Sequence, residues 1–137
     1  MERKKHKKMF DVDYEKREAP ISLIDAETAF EDWDKKELKT RATYFILNGI
    51  PEFSVNQQEN GRLKLLAADK DFYAAKTMGV TMVTVRIYRF SEKNGEAFSC
   101  VEKLKNGNYN ALEEGYLMQR LIKEFGMTQE DVALLIG

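Results

Sequence analysis

The hydrophobic period switches along this chain, and the switching limits what it can fold into more than any single motif does. From Ala29 to Asn48, Trp33, Leu38, Ala42, Phe45 and Ile46 recur at spacings near three and four. That is the stripe of an amphipathic helix, with Gly49 where a C-terminal glycine cap belongs. Beyond Gly49-Ile50-Pro51 the period drops to two: Phe53, Val55 and Gln57 alternate with Ser54 and Asn56. Glu59-Asn60-Gly61 then marks a turn, and Leu63 and Leu65 alternate with Arg62 and Lys64. The pattern predicts a β-hairpin with Asn60-Gly61 at its tip. A short helix follows, capped by Asp69, running to Met78 and ended by Gly79; Met82–Tyr88 then reads as a β-branched strand. Both periods in so short a span predict an α+β fold, a small mixed sheet with packed helices.

The rest of the chain returns to the helical period. Glu96 to Lys105 reads as one helix and Asn106-Gly107-Asn108 as a loop. Asn110 caps a second helix, with Glu113 three residues on. Leu112, Tyr116, Leu117, Leu121, Ile122 and Phe125 mark its apolar side, and Gly126 stops it. Thr128, paired with Asp131, opens a last helix in which Val132, Ala133 and Ile136 are expected to face inward. Before all this, Pro20-Ile21-Ser22-Leu23-Ile24 suggests an edge strand, and residues 1–19 read as a polar, basic tail. Arg3, Lys4, Lys5, Lys7 and Lys8 stand there against Glu2. Because the whole chain is −1 at pH 7, the remainder is acidic, so the tail is the part suited to non-specific phosphate contact. The expected organisation is a tail over 1–19, an α+β domain over 20–95 and a helical segment over 96–137.

Several chemistries are disfavoured at once. One cysteine, Cys100, and one histidine, His6, leave no internal disulfide, zinc cluster or Cys/His pair. Cys100 reads as a small buried helix residue. No apolar run approaches the roughly 18 residues a bilayer span needs, so a cytoplasmic protein without membrane contact is expected. In Phe72-Tyr73, helical spacing puts at least one ring in the core.

The segment Gly126–Gly137 has the form of the first helix of a helix-turn-helix. A threonine caps it, a polar Gln129-Glu130-Asp131 turn suits the helix dipole, and small Ala133 would let a second helix cross closely. A following helix would read base edges in the major groove. In that arrangement Arg120, Lys123, Thr128 and Gln129 are the residues expected to touch DNA phosphates.

Together with the preceding helix, Leu112 to Ala133 resembles the junction in ParB-family chromosome and plasmid partition proteins, close to their pattern LEEAxAYQxLxxEFGxTQEEVA. Leu66 to Gly79 is similar to the family's box IAGERRWRAAKxAG. The resemblance covers about residues 30–137 and is strongest at the C-terminal end. It implies a ParB/sulfiredoxin-like domain leading into a truncated helix-turn-helix. It also implies DNA as partner, a homodimer, a partner ATPase, and CTP with magnesium bound at GERR and at a second box, ENxQR. Both boxes depart from the family here. Ala68, Asp69, Lys70 and Asp71 replace Gly, Glu, Arg and Arg, turning a local charge of +1 into −1. Near a triphosphate each unit is on the order of 4 kcal/mol at ~4 Å and an effective dielectric of ~20, before screening. Glu102-Lys103-Leu104-Lys105-Asn106 stands at the second box. It keeps an acid, Glu102, that could meet magnesium, and offers Lys103, Lys105 and Asn106 to phosphate.

The expectation is therefore a DNA-binding protein of the partition type with degenerate nucleotide boxes, non-enzymatic rather than a CTPase. The alternative is a CTP hydrolase or metal-dependent nuclease using Asp69, Lys70, Asp71, Glu102 and Lys105. Sulfiredoxin-type chemistry is disfavoured because Cys100 lies far from Ala68–Asp71 in the chain.

Overall fold

A computed structural model describes residues 12–107 and 109–137. The basic run from Arg3 to Lys8, and Asn108 of the loop, lie outside the described residues. The chain divides into two compact units, one formed by residues 14–89 and one containing residues 90–137.

The first unit is built on a five-stranded mixed sheet of order β1-β5-β3-β4-β2. Its strands are β1 (Glu15–Pro20), β2 (Ile24–Asp25), β3 (Phe53–Gln57), β4 (Leu63–Leu65) and β5 (Met82–Tyr88). β3 and β4 form the expected antiparallel hairpin, Val55 opposite Leu65 and Gln57 opposite Leu63. Gly61, at φ 83°, supplies the left-handed residue the turn requires. β5 joins β3 in parallel, so the chain crosses over through helix α2 (Asp69–Thr77) between β4 and β5. Helix α1 (Lys35–Asn48) precedes the hairpin, capped by the Asp34 carboxylate, which accepts the Lys36 and Glu37 N–H groups.

Alternation decides the core. Phe53, Val55, Val83, Val85 and Ile87 project from the sheet onto Leu38 and Phe45 of α1 and Phe72 and Ala75 of α2, all buried. Phe72 meets Phe53 edge to face. Each such ring or branched side chain contributes roughly 1.5–3 kcal/mol on burial.

Four local readings change. The stretch expected to be tail contains β1, which pairs antiparallel with β5 from Glu15↔Ile87 to Pro20↔Met82. The Ile21–Leu23 segment is a 3-10 turn rather than a strand. Helix α1 begins at Lys35, so Trp33 precedes it, and Ile46 is 71% exposed instead of lining the core. Asp69 opens α2 but does not cap it: the cap position is Ala68, at φ 68°, ψ 43° and with no side-chain bond.

The second unit holds three helices: α3 (Glu92–Asn106), α4 (Ala111–Lys123) and α5 (Gln129–Ile136). Ala97, Cys100, Val101 and Leu104 of α3 pack with Leu117 and Leu121 of α4, Met127, and Val132 of α5. The capping box expected at Thr128 is present, with Asp131 accepting the Thr128 N–H in return, whereas Asn110 is a cap without the reciprocal half: its side chain accepts the Glu113 N–H and donates to the Glu113 carboxylate. α3 begins at Glu92, four residues before the expected start, because Ser91 caps it. The phase of α4 also differs from the reading. Leu117 and Leu121 face inward, whereas Leu112 and Tyr116 are 85% and 66% exposed. Ala133 is likewise exposed rather than inward.

Candidate functional site

The residues of the first box gather where α1 and α2 pack side by side, and their side chains face internal partners. Asp69 is buried; one of its oxygens accepts both the backbone N–H of Thr28 at 2.9 Å and the Thr28 hydroxyl at 2.6 Å. The Thr28 hydroxyl in turn accepts the Trp33 indole N–H at 3.0 Å, and the Thr28 carbonyl accepts the Tyr73 hydroxyl. Burial, then the nearby Asp69 charge, raises the Tyr73 phenol above its ordinary value. Asp69 thus holds the 26–34 connection onto α2.

Asp71, also buried, faces the other way. The Arg41 guanidinium of α1 donates to it through Nε at 2.8 Å and through Nη2 at 3.4 Å. This bond raises the Arg41 value further above its already high level. The same guanidinium lies over the rings of Tyr44 and Phe45. Lys70 reaches Glu37 at 3.5 Å. Next to these groups is an open hollow of about 340 Å³ lined by Lys36, Glu37, Thr40, Arg41, Tyr44 and Lys70.

Ala68 is the one non-glycine residue in the left-handed region among those described. It stands where the resembled box has glycine, and an alanine there carries roughly 1–2 kcal/mol of backbone strain. Two buried carboxylates and a strained alanine do not fit a triphosphate held in the manner implied by the resemblance. Two of the cations nearby, Arg41 and Lys70, already serve carboxylates of the chain itself, Asp71 and Glu37.

The second-box residues lie on α3, in the other unit. Glu102 pairs with Lys105 one turn away at 3.8 Å; Lys103 is half-buried, and Lys105 and Asn106 are exposed. Among the described residues, no group of three or more His, Cys, Asp or Glu side chains is placed to hold a metal ion. Such a group is what the nuclease alternative asked of Asp69, Asp71 and Glu102.

The residues expected to meet DNA divide by environment. Arg120 donates to Glu124 at 3.1 Å and to Glu96 of α3 at 3.4 Å, and lies over the Phe125 ring. It therefore ties α4 to α3. Lys123, Thr128 and Gln129 are exposed, although the Thr128 hydroxyl is engaged by the Asp131 N–H. Arg41 and Thr28 are the site residues that sequence reasoning missed. They sit 30 and 41 positions from their partners, and no local pattern marks them.

No protein-family model matches the chain. Among curated proteins, it is 30% identical over 104 residues to the "Probable chromosome-partitioning protein ParB" of Coxiella burnetii, a match covering 76% of this chain and 36% of that protein. Among solved structures, the C-terminally truncated chromosome-partitioning protein ParB from Caulobacter crescentus complexed to the centromeric parS site aligns with a TM-score of 0.71. The identity is 22%, over 88% of this chain and 64% of that one. The same truncated protein complexed with CTP-gamma-S aligns with a TM-score of 0.57 at 20% identity, over 89% of this chain and 71% of that one. The chain spans about a third of the length of the curated relatives it matches.

A mixed sheet carrying a helix pair with a basic hollow, followed by a capped three-helix unit, defines the class: a small α+β domain with a helical extension. The curated relatives and the shared fold support a ParB-family N-terminal domain in this chain.

Proposed function

We propose that the chain is the N-terminal part of a partition-type DNA-binding protein whose nucleotide box no longer holds a triphosphate tightly. The observation that carries this is the alignment of 88% of the chain with the parS-bound ParB at a TM-score of 0.71. The geometry of α5 supports it. Thr128 and Asp131 form a reciprocal cap, Val132 anchors the helix in the core, and Ala133 and Leu134 present an exposed flank for a crossing helix. In this reading α5 is the bracing helix of a helix-turn-helix, and Lys123, Thr128 and Gln129 contact phosphate beside it. Arg120 supports them by positioning α4. The altered first box argues for a binding role over CTP hydrolysis, and a second copy and a partner ATPase complete the partition scheme.

The test is a fluorescence-anisotropy titration of the full-length gene product against a duplex carrying a parS-type palindrome and a scrambled duplex, at two salt concentrations. Preference for the palindrome that survives the higher salt supports the reading. Equal, wholly salt-dependent binding to both duplexes refutes it. In parallel calorimetry with CTP and magnesium, saturable micromolar binding would overturn the part that concerns the nucleotide box.

A further inference from the structure

The hollow between α1 and α2 has the makings of an anion site. Lys36, Arg41 and Lys70 line it against one acid, Glu37, with the Thr40 hydroxyl and the exposed Tyr44 ring completing the wall. Behind the wall stands Asp71, which is buried and grips Arg41 through two of its nitrogens. A buried carboxylate that loses its only cation is strongly disfavoured. Any phosphate reaching Arg41 must therefore share the guanidinium with Asp71, and does so within Coulomb range of a second negative charge. The fork geometry tightens this competition. Asp71 takes the Nε and Nη2 donors of the guanidinium, so a phosphate at Arg41 is denied that bidentate edge and is left the remaining Nη donors beside a fixed negative charge.

We propose that Asp71 is an intramolecular competitor for phosphate: it occupies Arg41 and so sets the selectivity of the α1–α2 hollow against polyphosphate ligands. The inference rests on the reading of this region as the counterpart of a nucleotide site, and adds the residue that closes it. Asp71 acts through Arg41, and removing its charge without removing its bulk reopens the hollow to polyanions.

Inorganic tripolyphosphate is the probe, titrated by calorimetry at low ionic strength into the unchanged chain, Asp71→Asn, and Asp71→Asn combined with Arg41→Gln. The expected result is at least tenfold tighter binding by Asp71→Asn than by the unchanged chain, abolished in the double variant. No gain, or a gain that survives loss of Arg41, overturns the proposal. Asp71→Ser keeps an oxygen for Arg41 without the charge and carries the same test if the Asn variant does not fold. If neither variant folds, the proposal falls, because a selectivity role requires the hollow to persist without the carboxylate. Repeating the titration with CTP and magnesium separates the two readings. A gain for tripolyphosphate without one for CTP leaves Asp71 as competitor and removes the nucleotide from the reading. No gain for either ligand, with palindrome preference intact, removes the proposal alone.

Discussion

Asp69 is the residue at which family resemblance and structure assign different work, so its replacement is the most informative single change. In the structure its carboxylate accepts two hydrogen bonds from Thr28, at 2.9 and 2.6 Å, from a position that is 7% exposed. Hydrogen bonds to a buried charged group contribute about 1.5–3 kcal/mol each, and they share one oxygen here, so the pair is worth about 3 kcal/mol. Asp69→Ala is therefore expected to lower stability by about 3 kcal/mol, on the order of 10 °C in Tm. The loss has a local signature. Trp33 is the sole tryptophan of the chain, and its indole N–H is bonded to the Thr28 hydroxyl. Freeing Thr28 should therefore shift Trp33 emission to the red at denaturant concentrations that leave the far-UV circular dichroism native. Asp69→Asn keeps an acceptor at the same place and should lose about half as much. The assay is urea denaturation followed by both signals. An Asp69→Ala protein within ~0.5 kcal/mol of the parent, with unchanged native emission, would refute the assignment of Asp69 to the scaffold.

Three further outcomes follow from the same geometry. Ala68→Gly relieves a left-handed alanine at φ 68° and should raise stability by about 0.5–1 kcal/mol in chemical denaturation, the gain being trimmed by the extra freedom of glycine in the unfolded chain; a loss would show that the alanine is unstrained. Thr128→Ala removes the hydroxyl that accepts the Asp131 N–H and should cost about 1 kcal/mol, read as earlier loss of hydrogen-exchange protection in α5 than in β3 or β5. Asp25 is held below the ordinary carboxylate value, chiefly by its hydrogen bond from Arg62. A lowered folded value means that the stabilisation is complete above the unfolded value, about pH 4, and is lost as the pH falls through the folded one. Urea midpoints at pH 7 and pH 3 should therefore differ less for Asp25→Asn than for the parent, and an identical difference would discount the Arg62 pair.

The parts of this protein legible in its sequence are those whose signals are local. The helix α1, the Asn60-Gly61 hairpin, the β-branched run of β5 and the caps at Asn110 and Thr128 each rest on signals within a few residues, and each forms, although α1 starts at Lys35 and turns Ile46 outward. The α+β class follows from them. What only the tertiary structure decided depends on partners distant in the chain. β1 carries a single buried residue, Ala19, among charged neighbours, so nothing local marks it as a strand; its identity comes from pairing with β5, some 66 positions away at Thr84 and Glu18. Whether Leu112 and Tyr116 point inward was settled by the face of α4 that α3 and α5 cover, since the apolar side of that helix is wider than the seam they fill. Asp69 and Asp71 were read as replacements in a phosphate box. Folding turned one to Thr28 and the other to Arg41, because a carboxylate buried by the packing of α1 on α2 must find a donor there. Sequence determines which charges a chain carries; only the fold determines which of them are already spoken for.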